Sequence, residues 1–162
     1  MRCESTSHDT PMNSTPSRLI VTIDTECDKS RSWRTASPLS FRSVTEAVPR
    51  RLQPLFARFG IRPTYLLSPE VIADPSSREV LKSLSDVELT THLHGDYVVP
   101  SIKSWDFAGT LTDEMQLEYG ESLERAKMET LTELFRQQFG HQPLSFRAGR
   151  FGASRHTGRI LK

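Results

Sequence analysis

Short apolar runs alternate along the chain with stretches whose apolar residues recur at helical spacing. Leu19-Ile20-Val21-Thr22-Ile23 is a β-branched run of the kind found in a strand buried on both faces. It ends in a polar burst, Asp24-Thr25-Glu26-Cys27-Asp28. Val44, Val48, Leu52, Leu55, Phe56 and Phe59 then fall on one helical face, with Gly60 placed as a C-cap. Pro49 suits a first turn better than an interior, which puts the helix start near Ala47, and Pro54 predicts a kink. Pro63 to Leu67 reads as a second strand. Ser76 to Leu84 reads as a short helix, with Asp74 or Ser76 at its N-cap. Val87 to His92 reads as a third strand. A long loop follows from Gly95 to about Thr112 and carries Trp105 and Phe107. Thr112 or Asp113 is placed to cap a long helix through Phe139, with Met115, Leu123, Met128, Leu131, Leu134 and Phe135 as its apolar members. Leu144 to Arg147 is a fourth strand, Ala148 to Gly152 a glycine-bearing turn, and Ser154 the start of a last helix toward Lys162.

Strand followed by helix, repeated, predicts an α/β fold with a parallel sheet and right-handed crossovers. About four parallel strands alternating with helices make an incomplete (β/α) barrel. Its open edges make self-association through them an expectation. Residues 1–17 are rich in Ser, Thr and Pro without periodicity and read as a disordered leader, leaving 18–162 as the globular domain.

Composition narrows the function only by exclusion. With 162 residues, 36% of them hydrophobic and 25% charged, the chain is sized and balanced for one globular domain. A formal net charge of +1 points to neither nucleic acid nor an anionic membrane surface. No basic groove interleaved with aromatics is visible in the sequence. Cys3 and Cys27 read as two free thiols, which fits a reducing compartment. Residues 1–17 hold no apolar stretch suited to a signal peptide, and no run approaches the roughly 18 apolar residues of a membrane span. The expected location is cytoplasmic.

Three polar clusters follow three of the strands, where ligands sit in parallel α/β sheets. In an extended chain residues two apart face the same way, so Asp24 and Glu26 aim into one crevice, as ligands for a divalent cation or as a base beside a substrate. A solvated acidic loop is the alternative. The same spacing puts His92, His94 and Asp96 on one face, and two neutral imidazoles with a carboxylate suit Zn²⁺, Fe²⁺ or Co²⁺. Surface histidines are the alternative there. In the third cluster, Phe146-Arg147-Ala148-Gly149-Arg150-Phe151-Gly152, a strand-end guanidinium can grip a carboxylate with two prongs, and the glycines permit a tight turn and close backbone approach to a ligand.

Taken in order, the segments Leu19 to Asp28, Phe59 to Leu67, Glu88 to His94 and Phe146 to Gly152 resemble the polysaccharide deacetylase (NodB-homology) family. The match covers about residues 19 to 158. The first resembles a strand ending in Asp followed by a second acidic residue. The third resembles a Glu-apolar-Gly-x-His strand with a further His, with Thr90 standing where Gly is usual. The resemblance implies a general base at Asp24, an arginine orienting it at Arg147, and metal ligands at Glu26, His92 and His94. The family's second acidic residue often adjoins the first, and its second histidine follows four positions after the first. Asp28 and Asp96 are therefore alternate ligands. It implies a divalent metal, zinc first and cobalt or iron after it. The implied reaction is metal-assisted hydrolysis of an N-acetyl or other acyl group on a carbohydrate.

The family's late histidine acid lies beyond the third motif, and His156, nine residues after Arg147, does not match it. The resemblance thus stops short of a whole domain and implies impaired activity. Two alternatives stay open: an inactive metal-binding remnant, and a cytoplasmic amidase or cyclic-amide hydrolase on small acyl amides. Trp33 and Trp105 are candidates for stacking on sugar faces, or buried anchors for their loops.

Overall fold

The computed structural model describes residues 17–32, 35–98 and 115–162. Most of the proposed leader, Trp33, Trp105, Phe107 and the proposed caps Thr112 and Asp113 lie outside the described residues.

Four strands, β1 (Thr22–Thr25), β2 (Thr64–Leu67), β3 (Glu88–Leu93) and β4 (Phe146–Ala148), form one parallel sheet in the order β1-β2-β3-β4. The helices between them are α1 (Gln53–Arg58), which continues a π-helical stretch Ser43–Leu52, then α2 (Pro69–Ala73), α3 (Pro75–Ser83), α4 (Glu121–Phe139) and, after β4, α5 (Thr157–Ile160). Each strand pairs with the one before it. Right-handed crossovers in one direction keep the helices on one face. The result is the curled half-barrel of an incomplete β/α barrel, as the alternation predicts.

The register divides the sheet into two faces. Thr22 and Asp24 share a face with Thr64 and Leu66, with Glu88, Thr90 and His92, and with Arg147. That face is polar apart from Leu66. The opposite face carries Ile23, Tyr65, Leu67, Leu89, Leu93 and Phe146, which pack with Val71, Ile72 and Leu81 of α2 and α3 and with Leu131, Leu134 and Phe135 of α4.

Polar and apolar faces explain the differences from the sequence reading. β1 begins at Thr22, and Leu19 and Ile20 are 80% and 78% exposed. The run taken as buried on both faces is an edge strand with one polar side. Helical structure starts at Ser43, four residues before Ala47, because Asp28 accepts from the Arg42 and Ser43 N–H groups at 2.9 Å and from Ser40 Oγ at 2.5 Å. A side chain from another segment supplies the cap that local sequence lacks. Pro49 sits inside the π-helical stretch, and Pro54 opens α1.

Asp74 caps α3 as expected, accepting from Ser77 N at 2.7 Å. α4 starts only at Glu121. Before it, the Gln116–Glu118 turn is held by Gln116 Nε2 donating to Glu124 Oε1 at 2.7 Å. Gly140 ends α4 with φ 79°, a left-handed conformation suited to glycine. Among the described residues no helix is long and apolar enough to cross a membrane.

Candidate metal centre

Glu26 is the first residue after β1, and His94, in extended backbone, is the first after β3. This carries Glu26 beyond Asp24 and His94 beyond His92. Glu26 Oε1 lies 3.3 Å from His92 Nε2 and 3.0 Å from His94 Nε2, and the two Nε2 atoms are 3.0 Å apart. A metal with bonds of about 2.0–2.1 Å in tetrahedral geometry holds its ligand atoms about 3.3 Å from one another. Three convergent atoms at such separations have the donor set and spacing of a divalent-cation site. Among the described residues they are the one group of three such side chains whose ligand atoms cluster.

The surroundings bias each ligand toward that use. His92 is 2% exposed, and its Nδ1 lies 3.1 Å from the Arg147 carbonyl. A carbonyl only accepts, so Nδ1 carries a hydrogen, and Nε2 is the nitrogen left facing Glu26 and His94, where a cation would take its lone pair. Burial raises the pKa of Glu26, but hydrogen bonding to both histidines and the nearby charges of His94 and Lys29 outweigh it. The carboxyl is held well below the usual carboxylate range. Lys29 Nζ is 3.3 Å from Glu26 Oε2, so one carboxylate oxygen faces the histidines and the other a cation.

Asp24 sits beside this group, with Oδ2 4.0 Å from His92 Nε2. Arg147 reaches it from β4 with two prongs, Nη1 to Asp24 Oδ1 and Nη2 to Thr22 Oγ1, each at 2.5 Å. A flat sheet would hold β1 and β4, three ladder steps apart, about 14 Å from each other with both side chains perpendicular to it. Their meeting shows how strongly the sheet curls toward its polar face.

The two alternate ligands stand elsewhere. Asp28 is engaged by Ser40, Arg42 and Ser43 at the helix start. Asp96 falls in a tight turn, Gly95–Tyr97, where period-2 alternation ends, and its buried carboxylate accepts from Arg150 Nη2 at 2.9 Å. Arg150 and Phe151 both have positive φ, 52° and 54°, in the turn after β4. Gly149 is required there for a different reason from the one the sequence suggests. A Cβ would collide with the Leu93 carbonyl and crowd the His94 ring, so the close approach is to β3.

Sequence reading missed Lys29, which carries no local mark beyond its charge. It also missed Ser68 and Glu70, which lie at the start of the short helix α2. Cys27 is a free, buried thiol whose pKa burial pushes up to about 11, an inert state.

The centre opens into a cleft of about 1420 Å³ whose lining includes Arg50 and Arg51 of the π-helical stretch and Arg150. Fold and site together define an α/β chain with a candidate metal centre at the strand ends. No family model, curated protein or solved structure matches the chain.

Proposed function

We propose that the chain is a metal-dependent hydrolase of the polysaccharide deacetylase type, acting on N-acetyl or other acyl groups of a carbohydrate or related amide. The observation that carries this is the convergence of Glu26, His92 and His94 beside an Asp24–Arg147 pair. Glu26, His92 and His94 would hold the cation, and two imidazoles with one carboxylate favour zinc, with cobalt or iron as further candidates. When bound, the cation supplies Lewis acidity toward an acyl oxygen and toward water. Asp24 takes a proton from the attacking water. Arg147 fixes the direction of that carboxylate through its second bond to Thr22. The cleft admits a substrate larger than a small amide. A cytoplasmic setting belongs to the same reading and draws on the unpaired Cys27.

The test is metal content of the purified protein beside His92→Ala, with circular dichroism on both. One zinc, cobalt or iron ion per folded wild-type chain, lost in folded His92→Ala, is the expected result. Folded wild-type protein that takes up none of these metals overturns the assignment. Acetate release from chito-oligosaccharides, compared with small acyl amines, then separates a carbohydrate substrate from a small-amide one.

A further inference from the structure

Glu26 lies just past the end of β1, where the pairing with β2 has stopped. Its backbone is nevertheless held on both sides by one dipeptide-spaced pair from the β2–α2 junction. On the N-terminal side, the Thr25 carbonyl accepts from Ser68 N at 3.0 Å and lies 3.1 Å from Ser68 Oγ. On the C-terminal side, the Cys27 N–H donates to Glu70 Oε1 at 3.2 Å. Ser68 Oγ lies 2.6 Å from that same Glu70 oxygen, which joins the two holds into one unit. Ser68 is 0% exposed and Glu70 2%.

We propose that Ser68 and Glu70 are positioning residues that aim the carboxylate of Glu26 at His92 and His94. This rests on Glu26 being a metal ligand. His92 has its own support in the Arg147 carbonyl, and Glu26 has this pair. A stability role alone accounts poorly for Glu70. Its Oε2 is buried without a hydrogen-bond partner among the described residues, a costly state for a carboxyl group. An apolar residue of similar volume removes the buried, unpartnered Oε2 but leaves the Cys27 N–H without its acceptor, so its two effects on stability oppose each other. What leucine cannot do is accept the Cys27 N–H and so fix the turn that follows Glu26. Groups that support metal ligands in this way typically change affinity by roughly 10- to 100-fold when removed.

The experiment measures zinc affinity by competition with a chromophoric chelator, on the full chain, with thermal unfolding of each variant. Glu70→Leu is expected to fold and to bind zinc at least about 10-fold more weakly than wild type. Glu70→Gln keeps an acceptor for Cys27 N and is expected to recover most of the affinity. Leu81→Ala, a cavity in the core away from the site, is expected to lower Tm and leave affinity unchanged. Wild-type affinity in folded Glu70→Leu overturns the proposal, as does an equal loss in Leu81→Ala. If Glu70→Leu does not fold, Ser68→Ala decides, with weakened binding expected and wild-type binding overturning it. Wild-type protein that binds no zinc instead sinks the metal reading itself.

Discussion

His92 illustrates how a single side chain takes its chemistry from its neighbours. The same imidazole on a solvated loop has two interchangeable nitrogens. Here a carbonyl from β4 fixes Nδ1 as donor and leaves Nε2 to the centre. Arg147, whose backbone supplies that carbonyl, also grips Asp24 and Thr22 with its side chain. Removing the guanidinium therefore tests orientation without touching a ligand. Arg147→Gln is expected to keep the wild-type metal content and to lower acyl hydrolysis by roughly 10²-fold, the scale of a misplaced catalytic group. Equal activity in that variant would remove Arg147 from the proposed mechanism.

At the scale of elements, alternation did most of the predictive work. Period-2 reasoning placed Asp24 with Glu26 and His92 with His94, and each pair shares a face in the structure. It failed at Asp96, because a tight turn intervenes after His94 and a turn has no alternation to follow. It also failed for Asp28, whose partners lie twelve to fifteen residues away. That carboxyl has a pKa effect of its own. Burial raises it, but the bonds from Ser40, Ser43 and Arg42 outweigh burial and hold it below the usual range. A carboxyl whose folded pKa is depressed stabilises above its unfolded value, about 3.9, and loses that contribution as pH falls through the folded value. Asp28→Asn keeps an oxygen that can cap and removes only the charge, so it is expected to cost about 0.3–1 kcal/mol at neutral pH. Denaturant titrations below about pH 4 are expected to bring variant and wild type together. A constant difference across that range would show that the charge is not what matters.

Across the whole molecule, the two faces of one curled sheet separate stability from chemistry. The helix-covered face holds the large buried side chains, Phe135 among them at 0% exposure and stacked 4.8 Å from Phe139. The other face leads to Asp24, Arg147 and the candidate metal ligands Glu26, His92 and His94. Phe135→Ala is expected to cost about 3–5 kcal/mol by urea unfolding. Its zinc affinity is expected to remain that of wild type while the variant is folded. Parallel losses in both measurements would mean that the core and the site are one cooperative unit.

What the sequence determined by itself is the alternation of strands and helices, the parallel sheet, and that Asp24 looks the same way as Glu26 and His92 the same way as His94. These depend on spacing along a single segment, and spacing is written in the chain. Tertiary structure alone decided that Asp28 caps a helix, that Asp96 pairs with Arg150, and that Lys29 and Glu70 stand around Glu26. It also decided the curl that lets Arg147 of β4 reach Asp24 of β1. Those partners lie 3 to 123 positions apart with no period linking them. Their meeting is set by how the sheet bends under its helices, a property of the packed whole.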